Sequence, residues 1–114
     1  MKKNKWVPVR RFGNKIKFFN KVDPYAHLHF MRVISSFLEK NSFNRLILDF
    51  SHVRQAYPNG MIPIIASLDI VRERDIEILC SLPTNSHTRR LFVFTNWAHL
   101  INPNHFREEV TKHN

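Results

Sequence analysis

Glycine, cysteine and long apolar runs are all scarce in this 114-residue sequence, and each shortage narrows its class. The two glycines are Gly13 and Gly60, and we expect each to stand where the backbone needs a positive φ or a close approach. The single cysteine, Cys80, lies in the apolar run IEILC, which favours a buried hydrophobic side chain over a nucleophile or a disulfide partner. No apolar run reaches the length of a membrane span, and the basic start lacks the apolar core of a signal peptide. These features predict a cytoplasmic protein.

Acidic residues are also missing from the start of the chain, where none precedes Asp23. The formal net charge is +9, and most of the excess lies in the amino-terminal fifth. Such a patch attracts nucleic acid, acidic proteins or anionic lipid through charge alone and does not choose among them. The candidate polyanion-binding residues are Lys2, Lys5, Arg10, Arg11, Lys15, Lys17, Arg89 and Arg90.

The apolar content is high enough for a folded core. Apolar residues make up 43% of the chain, which includes ten phenylalanines. Disordered segments are poor in such residues and cannot offset the entropy lost on ordering. At this length we expect one domain over residues 1–114, and its polar end also fits the amino-terminal domain of a longer protein.

The first part of the chain predicts a hairpin followed by a helix. The runs WVPVRRF and KIKFF flank Gly13–Asn14, which is typical of a β-hairpin turn, and Pro8 confines the first run to a sheet edge. Asp23 is a natural helix N-cap, and Pro24 suits the first helical position. The apolar stripe of this helix comprises Ala26, Phe30, Val33, Ile34 and Phe37, and Asn41 is the expected stop.

The second part alternates strands and helices. RLILDF predicts a short buried strand, and SHVRQAYPNG predicts a loop into a helix from about Gly60 to Asp75. Asn59 or Gly60 is the expected cap of that helix, which places Pro63 in its first turn. IEILC predicts another buried strand, HTRRLFVFTNW fits either a helix or a strand, and HLI predicts a short final strand. The order predicts an α/β fold in which helices cover a mixed β-sheet, with binding loops at the carboxyl edge of neighbouring strands.

The helix after the SHVRQAYPNG loop is apolar most of the way round. Two stripes run along it, so we expect both of its sides to meet protein. The first stripe comprises Ile64, Ile65, Leu68 and Val71, and the second comprises Ile62, Ala66 and Ile70.

The histidine, aspartate and serine residues, which are common in catalytic and metal sites, do not form a recognisable catalytic or metal-binding set. His27 and His29 are two residues apart on the predicted helix and point to different sides. Asp49, Ser51 and His52 are neighbours along the chain, whereas a catalytic triad is defined by groups that meet in space. We therefore predict no enzymatic activity, no metal and no cofactor.

The stretch LILDFSHVRQAYPNGMIPIIASLDIVRERDIEILCSLPTNSHTRRLFVFTNWAHLI resembles the STAS domain of anti-sigma factor antagonists and sulfate transporters. That family runs from a strand through a D-L-S-x-V step to a loop ending D-S-S-G or D-S-T-G. An apolar helix, a strand, a helix containing R-L-F and a short strand follow. The resemblance places Asp49 and Val53 on the first step and residues 57–60 on the D-S-S-G turn. It also implies that Leu91 and Phe92 lie on the third helix, with HLI as the following strand.

This sequence departs from the family at the turn that carries the family's switch. In antagonist members a partner kinase phosphorylates a serine or threonine of the turn, and the phosphate releases the partner. Pro58 and Asn59 stand there and carry no hydroxyl, while Tyr57 replaces the family's acid. Because asparagine caps helices about as well as serine, we expect Asn59 to keep the geometry of the turn without its chemistry.

The sequence therefore predicts a non-catalytic STAS-like regulatory module that docks a protein partner without serine phosphorylation. The resemblance implies a histidine-kinase-type ATPase as that partner, either a separate protein or a domain fused downstream. Tyr57 is the expected exposed aromatic contact, and Met61 is an adaptable one. The predicted partner-binding residues are His52, Arg54, Tyr57, Pro58, Asn59, Gly60, Met61, Asn85 and Ser86.

Other interpretations of the same residues stay open. The turn also fits a plain strand-to-helix connector or an anion site at a helix N-terminus. The basic hairpin also fits a nucleic-acid-binding domain, in which its aromatic residues stack on bases. The same aromatic residues equally fit the core face of a hairpin whose lysines face solvent. Those aromatic residues are Trp6, Phe12, Phe18 and Phe19.

Overall fold

Strands and helices alternate along the chain after an initial hairpin. The structure is a computed structural model, and it describes residues 7–39 and 43–109. The elements are β1 (Val9–Phe12), β2 (Lys15–Val22), α1 (Pro24–Glu39), β3 (Arg45–Ala56), α2 (Pro58–Arg72), β4 (Glu77–Ser81), α3 (Ser86–Phe94) and α4 (Trp97–Ile101).

Among the described residues, four strands form one mixed sheet in the order β1-β2-β3-β4. β1 and β2 pair antiparallel, whereas β3 is parallel to both β2 and β4. The predicted α/β fold with a mixed sheet is confirmed. Pro8 precedes β1, which is an edge strand as expected. The hairpin turns at Gly13, whose φ of 62° is one that side chains with a Cβ rarely adopt.

One face of the sheet carries the hydrophobic core. Because side chains alternate along a strand, Ile16 and Phe18 of β2 share this face, as do Leu48 and Phe50 of β3. The Phe18 and Phe50 rings stack with centroids 4.5 Å apart. Buried residues from α1, α2, α3 and α4 all join this cluster, so the helices pack on this face.

The opposite face, which we call the open face, carries no helix among residues 7–39 and 43–109. Strand pairing fixes its members, because residues directly opposite each other on paired strands point to the same side. Arg10 is opposite Lys17, and Phe12 is opposite Lys15. The open face comprises Arg10, Phe12, Lys15, Lys17, Phe19, Arg45, Ile47, Asp49, His52, Glu77, Leu79 and Ser81.

The start of α1 follows the sequence prediction. The Asp23 carboxylate accepts a hydrogen bond from the Ala26 N–H (2.9 Å), and Pro24 is the first helical residue. The predicted stripe is buried except at Val33, which is half-buried. The predicted stop at Asn41 lies outside the described residues.

β3 is longer than the sequence predicts, since it continues past Phe50 to Ala56. Its second half pairs with β2 as far as Val22 opposite Ala56, and the register shifts twice along the way. The prediction ended this strand at Phe50 because it rested on the apolar run RLILDF, and mostly polar residues follow that run. His52 and Arg54 therefore lie on a strand and not in a loop.

α2 begins and ends earlier than predicted, spanning Pro58–Arg72. Proline with its fixed φ suits the first helical position, so Pro58 starts the helix. Pro63 consequently lies inside the helix, and its placement in the first turn is wrong. Asp75, the predicted end, adopts a positive φ of 58° in the turn that follows.

Helices α3 and α4 confirm one prediction for this part of the chain and contradict another. LFVF belongs to α3, so Leu91 and Phe92 are helical as the STAS resemblance implies. HLI belongs to α4, so the prediction of a final strand is wrong. The Arg72 guanidinium donates to the Leu100 and Ile101 carbonyls (2.9 and 2.8 Å), which satisfies groups at the end of α4. In the described part of the chain, no helix is both long and apolar enough to cross a membrane.

Candidate functional site

Main-chain hydrogen bonds fix the junction between β3 and α2. Tyr57 is the N-cap of α2 in an extended conformation, and its side chain makes no capping bond. Its N–H donates to the Val22 carbonyl (2.9 Å), and its carbonyl accepts from the N–H groups of Gly60 (3.0 Å) and Met61 (2.9 Å). Asn59 is the second helical residue, so the prediction that it caps α2 is wrong.

A glycine seats the first turn of α2 against the connection between β2 and α1. A Cβ on Gly60 would lie 2.7 Å from the Val22 carbonyl oxygen and from two main-chain carbons of Asp23. No side chain can occupy that space unless the main chain moves, because carbon and oxygen atoms repel strongly at this distance. The predicted close approach at Gly60 is confirmed.

Some predicted contact residues of the turn are exposed and others are not. Met61 has 0% exposure and belongs to the core, so its prediction as a surface contact is wrong. The reason is helical geometry, since Met61 faces the sheet with the other buried side chains of α2. Gly60 is buried as well, whereas Tyr57 (40% exposed), Pro58 and Asn59 lie on the surface.

The start of α3 rests on the second half of β3. The Thr84 hydroxyl and N–H both donate to the Ser51 carbonyl (3.0 and 3.3 Å). The buried Thr88 hydroxyl donates to the Arg54 carbonyl (2.5 Å). Asn85 is the N-cap of α3, because its side-chain oxygen accepts from the Thr88 N–H (3.0 Å). Side-chain oxygens therefore hold this helix start in place.

These contacts border an open cleft of about 320 Å³ between β3 and the start of α3. The cleft brings together three predicted partner-binding residues, His52, Arg54 and Asn85. Ser86 is exposed beside them as the first residue of α3. Sequence reasoning missed Thr88, although its spacing of three from Asn85 is the one at which an N-cap side chain receives an N–H. The cleft is lined by Ser51, His52, Val53, Arg54, Thr84 and Asn85.

The polar groups beside the cleft are not arranged for nucleophilic catalysis. The Ser51 hydroxyl lies 3.2 Å from His52 Nδ1. The Asp49 carboxylate, however, accepts from the Ser51 N–H (2.9 Å) and so braces the strand instead of orienting the imidazole. Desolvation raises the pKa of Asp49, but hydrogen bonds from Ser51 and the charges of Lys15 and Lys17 outweigh it and leave that pKa below its ordinary value.

Burial also favours the protonated form of the Cys80 thiol near neutral pH. Burial, together with the negative charge of Asp49, raises its pKa to about 12. The thiolate is the reactive form, so very little of the reactive species exists near pH 7. In residues 7–39 and 43–109, no group of three His, Cys, Asp or Glu side chains is placed to hold a metal ion.

No protein-family model matches this chain. No curated protein sequence matches it either.

The second apolar stripe of α2 lies on the surface. Ile62 is 59% exposed, Ile70 is 48% exposed, and Ala66 between them is also exposed. The first stripe is buried, apart from the half-buried Ile65. Because Ile62 lies about one turn beyond Asn59, the exposed stripe continues the surface of the turn along the helix.

The candidate polyanion-binding residues separate into distinct groups. Arg10, Lys15 and Lys17 lie on the open face. Arg11 points to the other face, where its guanidinium carbon lies 5.3 Å from the Phe37 ring centroid. The exposed Arg89 and Arg90 lie on α3, and Lys2, Lys5 and Trp6 lie outside the described residues.

Proposed function

We propose that this chain is a non-catalytic, cytoplasmic STAS-like regulatory module that docks a protein partner at the carboxyl edge of its sheet. We call that surface the docking surface. It comprises Tyr57, Pro58 and Asn59 of the turn and His52, Arg54, Asn85 and Ser86 around the cleft.

One observation carries this proposal: the turn is held by main-chain bonds, by Pro58 and by Gly60, whereas the exposed side chains of Tyr57 and Asn59 make no hydrogen bond that holds it. Tyr57 and Asn59 can therefore be used for recognition without loosening the fold. Tyrosine suits that role, since interface residues with large binding contributions are enriched in it. Exposed loop residues on a rigid scaffold are a common place for binding.

The exposed stripe of α2 supports a protein as the partner. The apolar side chains of Ile62 and Ile70 are exposed to water, and a protein that covers them stabilises the complex by removing apolar surface from water. The stripe is continuous with the turn, so one partner can contact both. A small ligand in the cleft would leave this stripe uncovered.

The resemblance implies a histidine-kinase-type ATPase domain as the partner, either separate or fused downstream. Pro58 and Asn59 offer no hydroxyl, so the module works without serine phosphorylation at this turn. Regulation then acts through the partner or through another signal.

A photo-crosslinking residue in place of Tyr57 tests the docking surface directly. We expect crosslinks from position 57 to a partner that contains an ATPase domain of this type. The matched control is position 94, because Phe94 is also an exposed aromatic residue (62%) but lies at the last position of α3, away from the turn. Equal crosslinking from both positions, or crosslinks to many unrelated proteins, would show that the turn is a plain connector.

Asn59→Asp tests whether a negative charge at this turn releases the partner, as phosphorylation does in antagonist members of the STAS family. A carboxylate in the first turn of α2 suits the positive end of the helix dipole, so the fold is retained. We expect the negative charge to weaken partner binding, as phosphate does in antagonist members. Asn59→Gln is the control, because it changes size without charge. Unchanged binding of the Asp variant would contradict docking at this turn.

A further inference from the structure

A row of rings and cations crosses the open face. Lys17 Nζ lies 5.8 Å from the Phe12 ring centroid and 5.9 Å from the Phe19 ring centroid, so the cation stands between the two rings. The Phe19 and His52 ring centroids are 5.7 Å apart. Phe12 is 52% exposed, although it lies in a strand beside the core. An aromatic residue exposed to this degree contributes little to the core and leaves its ring available.

Positive charge predominates around these rings. Arg10, Lys15 and Lys17 are the cations at the hairpin end of the open face. Its two acidic residues are Asp49, which is opposite Lys17, and Glu77, which pairs with Arg45 (3.0 Å) toward the β4 edge of the sheet. Asp49 is only 6% exposed and is bonded to the Ser51 N–H, so it presents little charge to solvent. A ligand that approaches the rings therefore meets mainly positive charge.

We propose that the open face binds single-stranded nucleic acid, with bases stacked on Phe12 and Phe19 and phosphates held by Arg10, Lys15 and Lys17. Every base has a flat face that stacks on an aromatic ring, and the backbone supplies a negative charge at each step. A duplex fits less well, because its bases are stacked on each other and cannot reach the rings. An acidic protein would use the cations but would gain no base stacking from the rings.

The rings and cations of this site are different residues from those of the docking surface, and the two surfaces meet at His52, whose ring centroid is 5.7 Å from that of Phe19. His52 is therefore left unchanged in the variants used to measure nucleic-acid binding, so that loss of nucleic-acid binding and loss of partner docking can be told apart.

The test measures fluorescence anisotropy of a labelled single-stranded oligonucleotide of about 12 nucleotides, within the site sizes of single-strand binders. Phe12→Leu keeps an apolar side chain and removes the ring, and we expect it to raise Kd about fivefold or more. The matched control is Phe94→Leu, since Phe94 is 62% exposed and has Arg90 5.9 Å from its ring centroid. The control should leave Kd unchanged.

Salt dependence separates phosphate contacts from stacking. Three phosphate contacts give a slope of log K against log salt of about −2 for a single strand. Lys17→Gln should reduce the steepness of that slope by about 0.7, while Phe12→Leu should leave it nearly unchanged. Arg32→Gln, a matched charge control at an exposed position of α1, should change neither the slope nor Kd.

Three outcomes overturn the proposal. The first is equal weakening by the Phe12 and Phe94 variants, which would indicate unspecific attraction to a basic protein. The second is tighter binding of a duplex of the same length, which would exclude stacking. The third is binding to vesicles of anionic lipid, weakened by Phe12→Leu, without binding of the oligonucleotide, which would assign the open face to a membrane surface.

Discussion

Helices α2 and α3 both follow the carboxyl ends of parallel strands, yet they begin in contrasting ways. At α2, the main chain of Tyr57 and the missing side chain of Gly60 fix the turn. At α3, the side chains of Asn85 and Thr88 make the fixing bonds. The side chains of Tyr57 and Asn59 are therefore free for recognition, whereas those of Asn85 and Thr88 also hold the fold.

The largest expected effect comes from disturbing the close main-chain packing of Gly60 at the start of α2. Gly60→Ala places a Cβ 2.7 Å from main-chain atoms, so we expect the free energy of unfolding to fall by about 3 kcal/mol or more. Gly13→Ala is the control, because Gly13 has a φ of +62° but open space around it. It should cost only about 1 kcal/mol. Urea denaturation of both variants gives the difference, and equal losses would mean that the α2 turn is not held by close packing.

A pair of asparagines tests which helix depends on a side-chain cap. Asn85→Ala removes the acceptor for the Thr88 N–H and should lower the free energy of unfolding by about 1 kcal/mol. Asn59→Ala removes no capping bond and should change it by less than about 0.5 kcal/mol. Thermal and urea unfolding measure both. If Asn59→Ala lowered the free energy of unfolding more than Asn85→Ala, the Asn59 side chain would stabilise the start of α2 and would not be free for recognition.

The smallest effect concerns the strand on which the α3 start rests. The pKa of Asp49 lies below its ordinary value of 3.8, because the Ser51 hydrogen bonds and the nearby lysines outweigh desolvation. A lowered carboxyl pKa in the folded state stabilises the fold above pH 3.8, and this contribution is lost as pH falls through the lowered pKa.

Asp49→Asn should therefore lose less than about 1 kcal/mol at pH 7, and its stability should fall less steeply than that of the wild type below about pH 4. Urea unfolding at a series of pH values measures the two curves. Parallel acid limbs would show that the Asp49 charge does not support β3 at this point.

The sequence was most informative where structure depends on neighbouring residues. The hairpin turn needs a positive φ, and Gly13 supplies it. The start of α1 needs an acceptor and a first residue with a fixed φ, which Asp23 and Pro24 supply. The start of α3 needs an acceptor for the Thr88 N–H, which Asn85, three residues earlier, supplies.

The candidate site was predictable only in part. Tyr57, Pro58 and Asn59 are exposed and stand at the turn as expected. The burial of Met61 and the bond from Thr88 to Arg54 depend on how α2 and α3 are oriented over the sheet. The Thr88–Arg54 bond joins residues 34 apart in the chain, and local pattern alone does not specify such a partner.

The sequence by itself determined the α/β class, the hairpin and the start of α1, because each follows from local backbone preference or from hydrophobic patterning. Tertiary structure alone decided the full length of β3, the helical state of HLI and the separation of the basic residues onto different faces. The physical reason is that strand register, burial of a short segment and the direction of a side chain depend on partners distant in the chain. Those partners here are β2 for the second half of β3 and Arg72 for α4.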